Sequence, residues 1–391
     1  MLQVSRIGGF VTPAAVGAFG AAMALVQSPA AAQTFRVTNL VSDGSVAART
    51  VDPSLINPWG MSYSPTGPLW VSDNNSGVTT LYTGSGKKVP LTVTIPPPAG
   101  QTFAASPTGQ VFNGNSSEFK VSAGGKTGSA DFIFATEDGT ISGWSPSVNF
   151  GSAVLAVDNS DGGAGAVYKG LAMGSTGGSD YLYAANFRGG DVEMYNSSFG
   201  LVNTFTDPNV AAGYAPFNVA DLDGTLYVTF ALQDASKHDD VAGPGNGYVD
   251  AFNLDGAFER RIVSLGGQVN SPWGLDIAPT TFGKLAGDLL VGNFGDGTIS
   301  AFNATTGAFA GSLMGTGGTP IVEGDLWGLI NGNGGSGGDP NKVYFTAGIA
   351  NESHGLLGSI TAVPEPATWG LMLLGVGMMG ASLRHRRRAV A

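Results

Sequence analysis

Pro58-Trp59-Gly60-Met61-Ser62-Tyr63 returns 214 residues later as Pro272-Trp273-Gly274-Leu275-Asp276-Ile277. Looser copies are Pro107-Thr108-Gly109-Gln110, Tyr168-Lys169-Gly170-Leu171, Pro216-Phe217-Asn218-Val219 and Leu326-Trp327-Gly328-Leu329. Residues 60, 109, 170, 218, 274 and 328 therefore mark six units, spaced 48 to 61 residues apart. Each copy is followed by a second apolar phrase, such as Leu69-Trp70-Val71-Ser72-Asp73 or Leu289-Leu290-Val291-Gly292-Asn293. A third phrase opens on glycine, as in Gly139-Thr140-Ile141-Ser142-Gly143-Trp144. A weaker fourth strand follows most copies, for instance at 154–157, 201–205, 258–263 and 309–313. Period-two alternation bounded by glycine and Asp-Gly turns is a strand signal. Four strands repeated six times at this period predict an all-β, six-bladed β-propeller. A β-sandwich pair or a β-helix fits a sixfold copy number less well. The last unit ends at Val363 one strand short, and Thr34 to Leu40 stands unused before the first. That N-terminal strand is expected to close the last blade.

Composition agrees. Of 391 residues 62 are glycine, 42% are hydrophobic and only 12% are charged. No Gly-X-Y period exists, so the glycine belongs to turns and strand starts rather than to a collagen helix. Cysteine is absent, which removes disulfides, thiolate metal sites and a Cys nucleophile.

Both ends read as addresses. Residues 1–32 carry one charge, Arg6, then an apolar run from Ile7 to Val26, then Ala30-Ala31-Ala32 before Gln33. Small residues at Ala30 and Ala32 give the layout of a signal peptide cleaved before Gln33; a buried N-terminal helix is the alternative. At the other end, Pro364-Glu365-Pro366 precedes an apolar stretch from Ala367 to Leu383 that includes Trp369, Leu371 and Leu373. Arg384, Arg386, Arg387 and Arg388 then close the chain. Seventeen apolar residues reach the short limit of a spanning helix, and the arginines would stay cytoplasmic. The expected division is a signal peptide over 1–32, a propeller over 33–363 and a membrane-inserted sorting segment over 364–391. Losing Arg6, Glu365 and the four tail arginines lowers the net charge from −11 by four, to −15. Such a surface repels nucleic acid.

The proline pair, apolar helix and arginine-rich end resemble the PEP-CTERM sorting signal of Gram-negative bacteria. That resemblance implies export through the Sec translocon, transient anchoring in the inner membrane, and recognition by an exosortase. Delivery to the cell surface or extracellular matrix would follow; a simple membrane anchor is the alternative. The body resembles NHL-type propellers and, through Asp52 to Gly60, Leu69 to Asn74 and Phe132 to Trp144, an uncharacterised family of secreted bacterial proteins. That likeness implies a fold and a location, and brings no activity.

Chemistry is sparsely signalled. A Ser-His-Asp triad would have to use His238 or His354, because His385 lies in the tail. His238 sits in Lys237-His238-Asp239-Asp240, within a 233–246 insertion that reads as a lid, a cation-binding loop or a solvated charge cluster. Aligning the second phrases places Asp73, Glu137, Asn186 and Asn293 at one position, with Phe230 and Ala347 in the other two units. Facing the axis, those four would form an oxygen ring suited to Ca²⁺, as in metal-assisted propeller hydrolases and lactonases. Facing inward to their blades, they would cap strand ends. No cofactor is required on the capping reading, whereas the ring reading would call for Ca²⁺. Trp59, Trp273 and Trp327 are read as blade packing, with sugar stacking as the alternative. The functional expectation is a non-catalytic surface protein that binds polysaccharide, protein or a cation; the alternative is a Ca²⁺-dependent, lactonase-like hydrolase built on that ring.

Overall fold

The computed structural model describes residues 33–364. The signal-peptide residues up to Ala32, and the sorting residues from Glu365 through Trp369, Leu371, Leu373 and Arg384–Arg388, lie outside that span. Among the described residues no helix is long and apolar enough to cross a membrane.

The chain forms a six-bladed propeller, its blades numbered in chain order and built on four-stranded antiparallel sheets; in blade 6 the short segments Thr50–Val51 and Met314–Gly315 add parallel pairs to the outer strand. Blade 1 runs from Pro58–Ser62 on the axis through Leu69–Asp73 and Val78–Tyr82 to Lys88–Thr94 at the rim. Blade 2 uses Pro107–Phe112, Phe132–Thr136, Thr140–Trp144 and Val154–Asp158. Blades 3, 4 and 5 begin at Tyr168–Thr176, Tyr214–Leu222 and Pro272–Ile277. Blade 6 takes Leu326–Asn331, Lys342–Ala347 and Leu356–Val363 from the C-terminal side and its rim strand, Thr34–Ser42, from the N-terminus. Thr34 pairs with Val363 and Ser42 with Leu356 in antiparallel register. The unused N-terminal strand thus closes the ring.

The uneven spacing has structural causes. The longest unit contains an extra hairpin, Lys120–Ala123 with Lys126–Ser129, between the first two strands of blade 2. In blade 4 the 233–246 insertion separates the second and third strands.

Burial explains why the blades stay together. Six apolar clusters each fill the interface between two consecutive blades. Trp70, Phe132, Phe134 and Trp144 join blades 1 and 2, for example, and Leu40, Tyr344, Leu69 and Val71 join blades 6 and 1. Strands buried on both faces need apolar residues at successive positions, and Leu69–Asp73 and Phe132–Thr136 are buried throughout. A seventh cluster, of Trp59, Phe187, Phe217, Trp273 and Trp327, lies on the axis.

Glycine has two separate uses. Gly139 turns the chain into the third strand of blade 2 at φ +81°, a left-handed conformation that side chains resist. Gly109, in the repeated phrase, lies where an added Cβ would stand 2.2 Å from the Leu171 amide nitrogen of the next blade. There the residue permits two inner strands to approach.

Candidate functional site

Strand register decides which side chains reach the axis. The first residue of each repeated phrase pairs with one equivalent position on the second strand: Pro58 with Asp73, Pro107 with Thr136, Tyr168 with Asn186, Pro216 with Phe230, Pro272 with Asn293 and Leu326 with Ala347. Thr136, not Glu137, is therefore the counterpart of Asp73, Asn186 and Asn293. One residue along a strand reverses the face a side chain presents, so the alignment that joined Glu137 to the other three is one residue out of step.

The consequence is visible in their partners. Asp73 is fully buried and accepts a hydrogen bond from Thr80 Oγ1 at 2.7 Å; burial pushes its carboxyl well above the usual range. Asn186 Oδ1 accepts the Val167 and Gly189 backbone amides, and its Nδ2 donates to Glu193 at 2.7 Å. Asn293 Oδ1 accepts the Asn270 amide, and its Nδ2 donates to Thr298 at 3.0 Å. These three cap strand ends within their own blades. The structure does not assemble the four residues into a ring, and only Glu137 reaches the axial mouth.

The residues that surround the axis are others. The second position of the repeated phrase carries Trp59, Thr108, Lys169, Phe217, Trp273 and Trp327. Trp59 stacks on Trp327 with ring centroids 3.4 Å apart, and Trp273 meets both edge-on at 6.0 and 5.7 Å. This aromatic plug divides the axis into two cavities. The tryptophans are 4% exposed or less, so they pack the axis instead of offering open faces for a sugar.

Above the plug lies a polar cavity of about 530 Å³. Lys169, a lone cation in the aromatic column, stands at its base and is 2% exposed. Its Nζ donates to Glu137 and, at 3.2 Å, to Asp239. It also lies 5.2 Å from the Trp59 ring centroid, within cation–π range. Asn74 donates to the other Glu137 oxygen at 2.8 Å. Asn57 accepts from Trp327 Nε1 at 3.0 Å and donates to Glu352 at 3.1 Å. The 233–246 insertion thus reaches from blade 4 to the axis, carrying His238 and Asp239. Phe294 stacks on Trp327 at 4.1 Å and lines the same cavity, half-buried.

The electrostatics follow from this packing. Burial alone would drive the Lys169 ammonium toward neutrality, but the charges of Glu137 and Asp239 overcome it and raise its pKa. The hydrogen bond with His238 holds Asp239 below the usual carboxylate range against the opposing effect of burial, with help from Lys169. The same bond raises His238. Glu352 is pushed up to about 7 by burial and by the nearby charge of Glu137.

Glu137, His238 and Asp239 bring three ligand atoms within 4.8 Å of one another. Ca²⁺ takes six to eight oxygens, whereas this trio includes a nitrogen and already neutralises an ammonium. The donor set does not fit that ion. His354 Nδ1 is bonded to Asp43 at 2.6 Å, which is the carboxylate–imidazole half of a triad, but among the described residues no serine hydroxyl bonds to its ring. Gly334-Gly335-Ser336-Gly337-Gly338 spells a nucleophile-elbow pattern, yet it lies in a loop between two strands of blade 6 with no helix after it.

Sequence reasoning did not single out Lys169, Asn57, Asn74, Phe294 or Glu352. The signal for Lys169 was present as one charged residue in a column of mainly aromatic side chains. The insertion residues were noticed, but their reach to the axis depends on tertiary structure.

A propeller with a polar axial mouth and a C-terminal sorting segment is the class these features define. Residues 362–388 match the PEP-CTERM protein-sorting motif. The chain is 32% identical over 339 residues to uncharacterized protein R648 of Acanthamoeba polyphaga mimivirus, covering 84% of this chain and 81% of that one. It is 31% identical to uncharacterized protein L690 of the same virus, over 84% and 86% of the two chains. The chain belongs to the family of these proteins. Among solved structures it is similar in fold to a glucose dehydrogenase, with a TM-score of 0.50, 12% identity, and coverage of 84% of this chain and 100% of that one. The sorting motif implies export, processing by an exosortase and sorting to the cell surface.

Proposed function

We propose that the protein is a non-catalytic binding propeller of the cell surface or extracellular matrix of a Gram-negative bacterium. It engages a polysaccharide or protein ligand through the polar axial mouth. The observation that carries this reading is the state of Lys169. Held as an ammonium and shut in by Glu137 and Asp239, it offers no lone pair for attack or proton abstraction. The two carboxylates are committed to holding it. What remains toward the cavity is a set of amides, carboxylates and one imidazole around the half-buried Phe294 ring. Such a surface recognises hydroxyl-rich or peptide ligands by hydrogen bonding and apolar contact. On this reading the signal peptide is removed before Gln33, and the apolar tail anchors the chain in the inner membrane until an exosortase removes it.

The test uses the surface-released chain and the extracellular polysaccharide of the producing strain in a calorimetric titration. Saturable binding that falls at least tenfold in Phe294→Ala, with the polymer recovered at unchanged length, is the expected result. Depolymerisation that Lys169→Met abolishes would overturn it. Mass spectrometry of the released chain should show the loss of Arg384–Arg388. Retention of those arginines would make the tail an anchor only.

A further inference from the structure

The cavity below the aromatic plug has no part in that reading. It occupies about 350 Å³ around the inner strands beyond their glycines. Its wall is formed by the fourth residue of each repeated phrase: Met61, Gln110, Leu171, Val219, Leu275 and Leu329. Five of the six are apolar, and Gln110 is the exception. Asp276 and Asp221 line the same space and an adjoining recess, which Asp223 also borders. No lysine, arginine or histidine lines either space among the described residues.

Buried polar atoms without partners gather here: the Ser62 hydroxyl, Asn331 Oδ1 in the recess, and two acceptors that decide the site's chemistry. Gln110 is 4% exposed; its Nε2 donates to the Gly60 carbonyl at 2.9 Å, and its Oε1 has no hydrogen-bond partner. Asp276 is 8% exposed; its Oδ1 accepts the Ile277 amide at 2.8 Å, and its Oδ2 has no partner. Leaving a buried acceptor unpaired is unfavourable, and more so where it is charged. Two such acceptors in one cavity call for a ligand that donates hydrogen bonds. The carboxylates call for positive charge, and the apolar wall calls for hydrocarbon. A divalent metal would need six to eight oxygens, which this mostly apolar ring does not supply.

We propose that this lower axial cavity is a binding site for a small primary ammonium ion with an apolar chain. The ammonium donates to Asp276 Oδ2, and the chain lies against Leu171, Val219, Leu275 and Leu329. Burial pushes Asp276 up to about 7, and Tyr63, Asp221 and Asp223 are the other titratable groups that face it or share the recess. Each of these adds negative charge on ionisation and none adds positive charge, so the ligand must bring the compensating cation.

The experiment is a calorimetric titration of the full propeller body with n-hexylammonium chloride, with 1-hexanol and calcium chloride as comparison arms. Saturable binding of hexylammonium alone is expected, weakened at least tenfold in Asp276→Asn. Lowering the pH from 8 to 6 should weaken binding to the unaltered protein about tenfold, because one proton then competes for a carboxyl that titrates near 7. The amine stays charged throughout, so this pH profile decides the matter even where Asp276→Asn fails to fold. Equal binding of 1-hexanol, binding of Ca²⁺ in its place, no binding at all, or a flat pH profile would each overturn the proposal.

Discussion

At the scale of single residues, the axis is governed by one lysine. Lys169→Met removes the cation that neutralises Glu137 and leaves that carboxylate facing Asp239 in a half-enclosed space. Breaking a buried pair by removing one partner costs about 3–5 kcal/mol, and the exposure of Asp239 places this case near 3. Urea unfolding should show that loss, and Lys169→Met with Glu137→Gln should recover most of it. Single and double variants of equal stability would show that the pair is solvated. A second expectation concerns pH. Asp276, Glu323 and Glu352 are each pushed up to about 7 by burial. The folded protein therefore holds protons that the unfolded chain has released by pH 5. The stabilisation is full below the unfolded values near 4 and is lost as pH rises through 7. Thermal melting should occur at a higher temperature at pH 5.5 than at pH 8, and Asp276→Asn should narrow the difference.

At the scale of elements, the repeat was legible because closure imposes the same demand six times. Each inner strand must approach its neighbour's backbone, so Gly60, Gly109, Gly170, Gly274 and Gly328 recur at one position. In blade 4, Asn218 replaces the glycine and donates instead to the Trp273 carbonyl at 2.7 Å. A Cβ at Gly109 has backbone in its path, whereas one at Gly151 meets nothing within 4 Å. Overpacking typically costs about 1–3 kcal/mol. Gly109→Ala should reach the upper end of that range by chemical denaturation, while Gly151→Ala stays within about 1 kcal/mol of the parent. Equal effects would place the first glycine in a turn role only. The Glu137 register escaped sequence alignment for a related reason. The two second strands are equally long, Leu69–Asp73 and Phe132–Thr136, and Glu137 is already the first turn residue; only pairing to Pro107 shows that Thr136 ends the ladder. Similarly, the 233–246 segment gave its composition to the sequence but not its path across the mouth.

At the scale of the whole molecule, the ring is held by a clasp between distant chain ends, and that clasp can be tested as a unit. Thr34–Ser42 supplies Phe35, Leu40 and Val41, all at most 1% exposed, to the interfaces that blade 6 makes with its neighbours. Burying each such side chain contributes roughly 1.5–3 kcal/mol, so together they match a large share of a domain's whole stability of about 5–15 kcal/mol. A body lacking Thr34–Ser42 would also bare the edge of Leu356–Val363, a template for association. Size-exclusion chromatography of that variant should show aggregates and no stable monomer. The geometry also offers a rescue. Gln33 Nε2 already donates to the Val363 carbonyl at 2.8 Å, and Thr34 pairs with Val363, so a turn of about two to five residues can join the two strands as a hairpin. A chain permuted to begin in the exposed 43–46 loop, with 33–42 appended after Val363, should regain a monomer with a cooperative melt. If the truncated body is itself monomeric with an unchanged melting temperature, the five complete blades hold the ring without the clasp. The pairing of Thr34–Ser42 would then be an adornment of blade 6, and closure would rest on the axial contacts of Trp59 with Trp327 and of Gly328 with the Trp59 carbonyl.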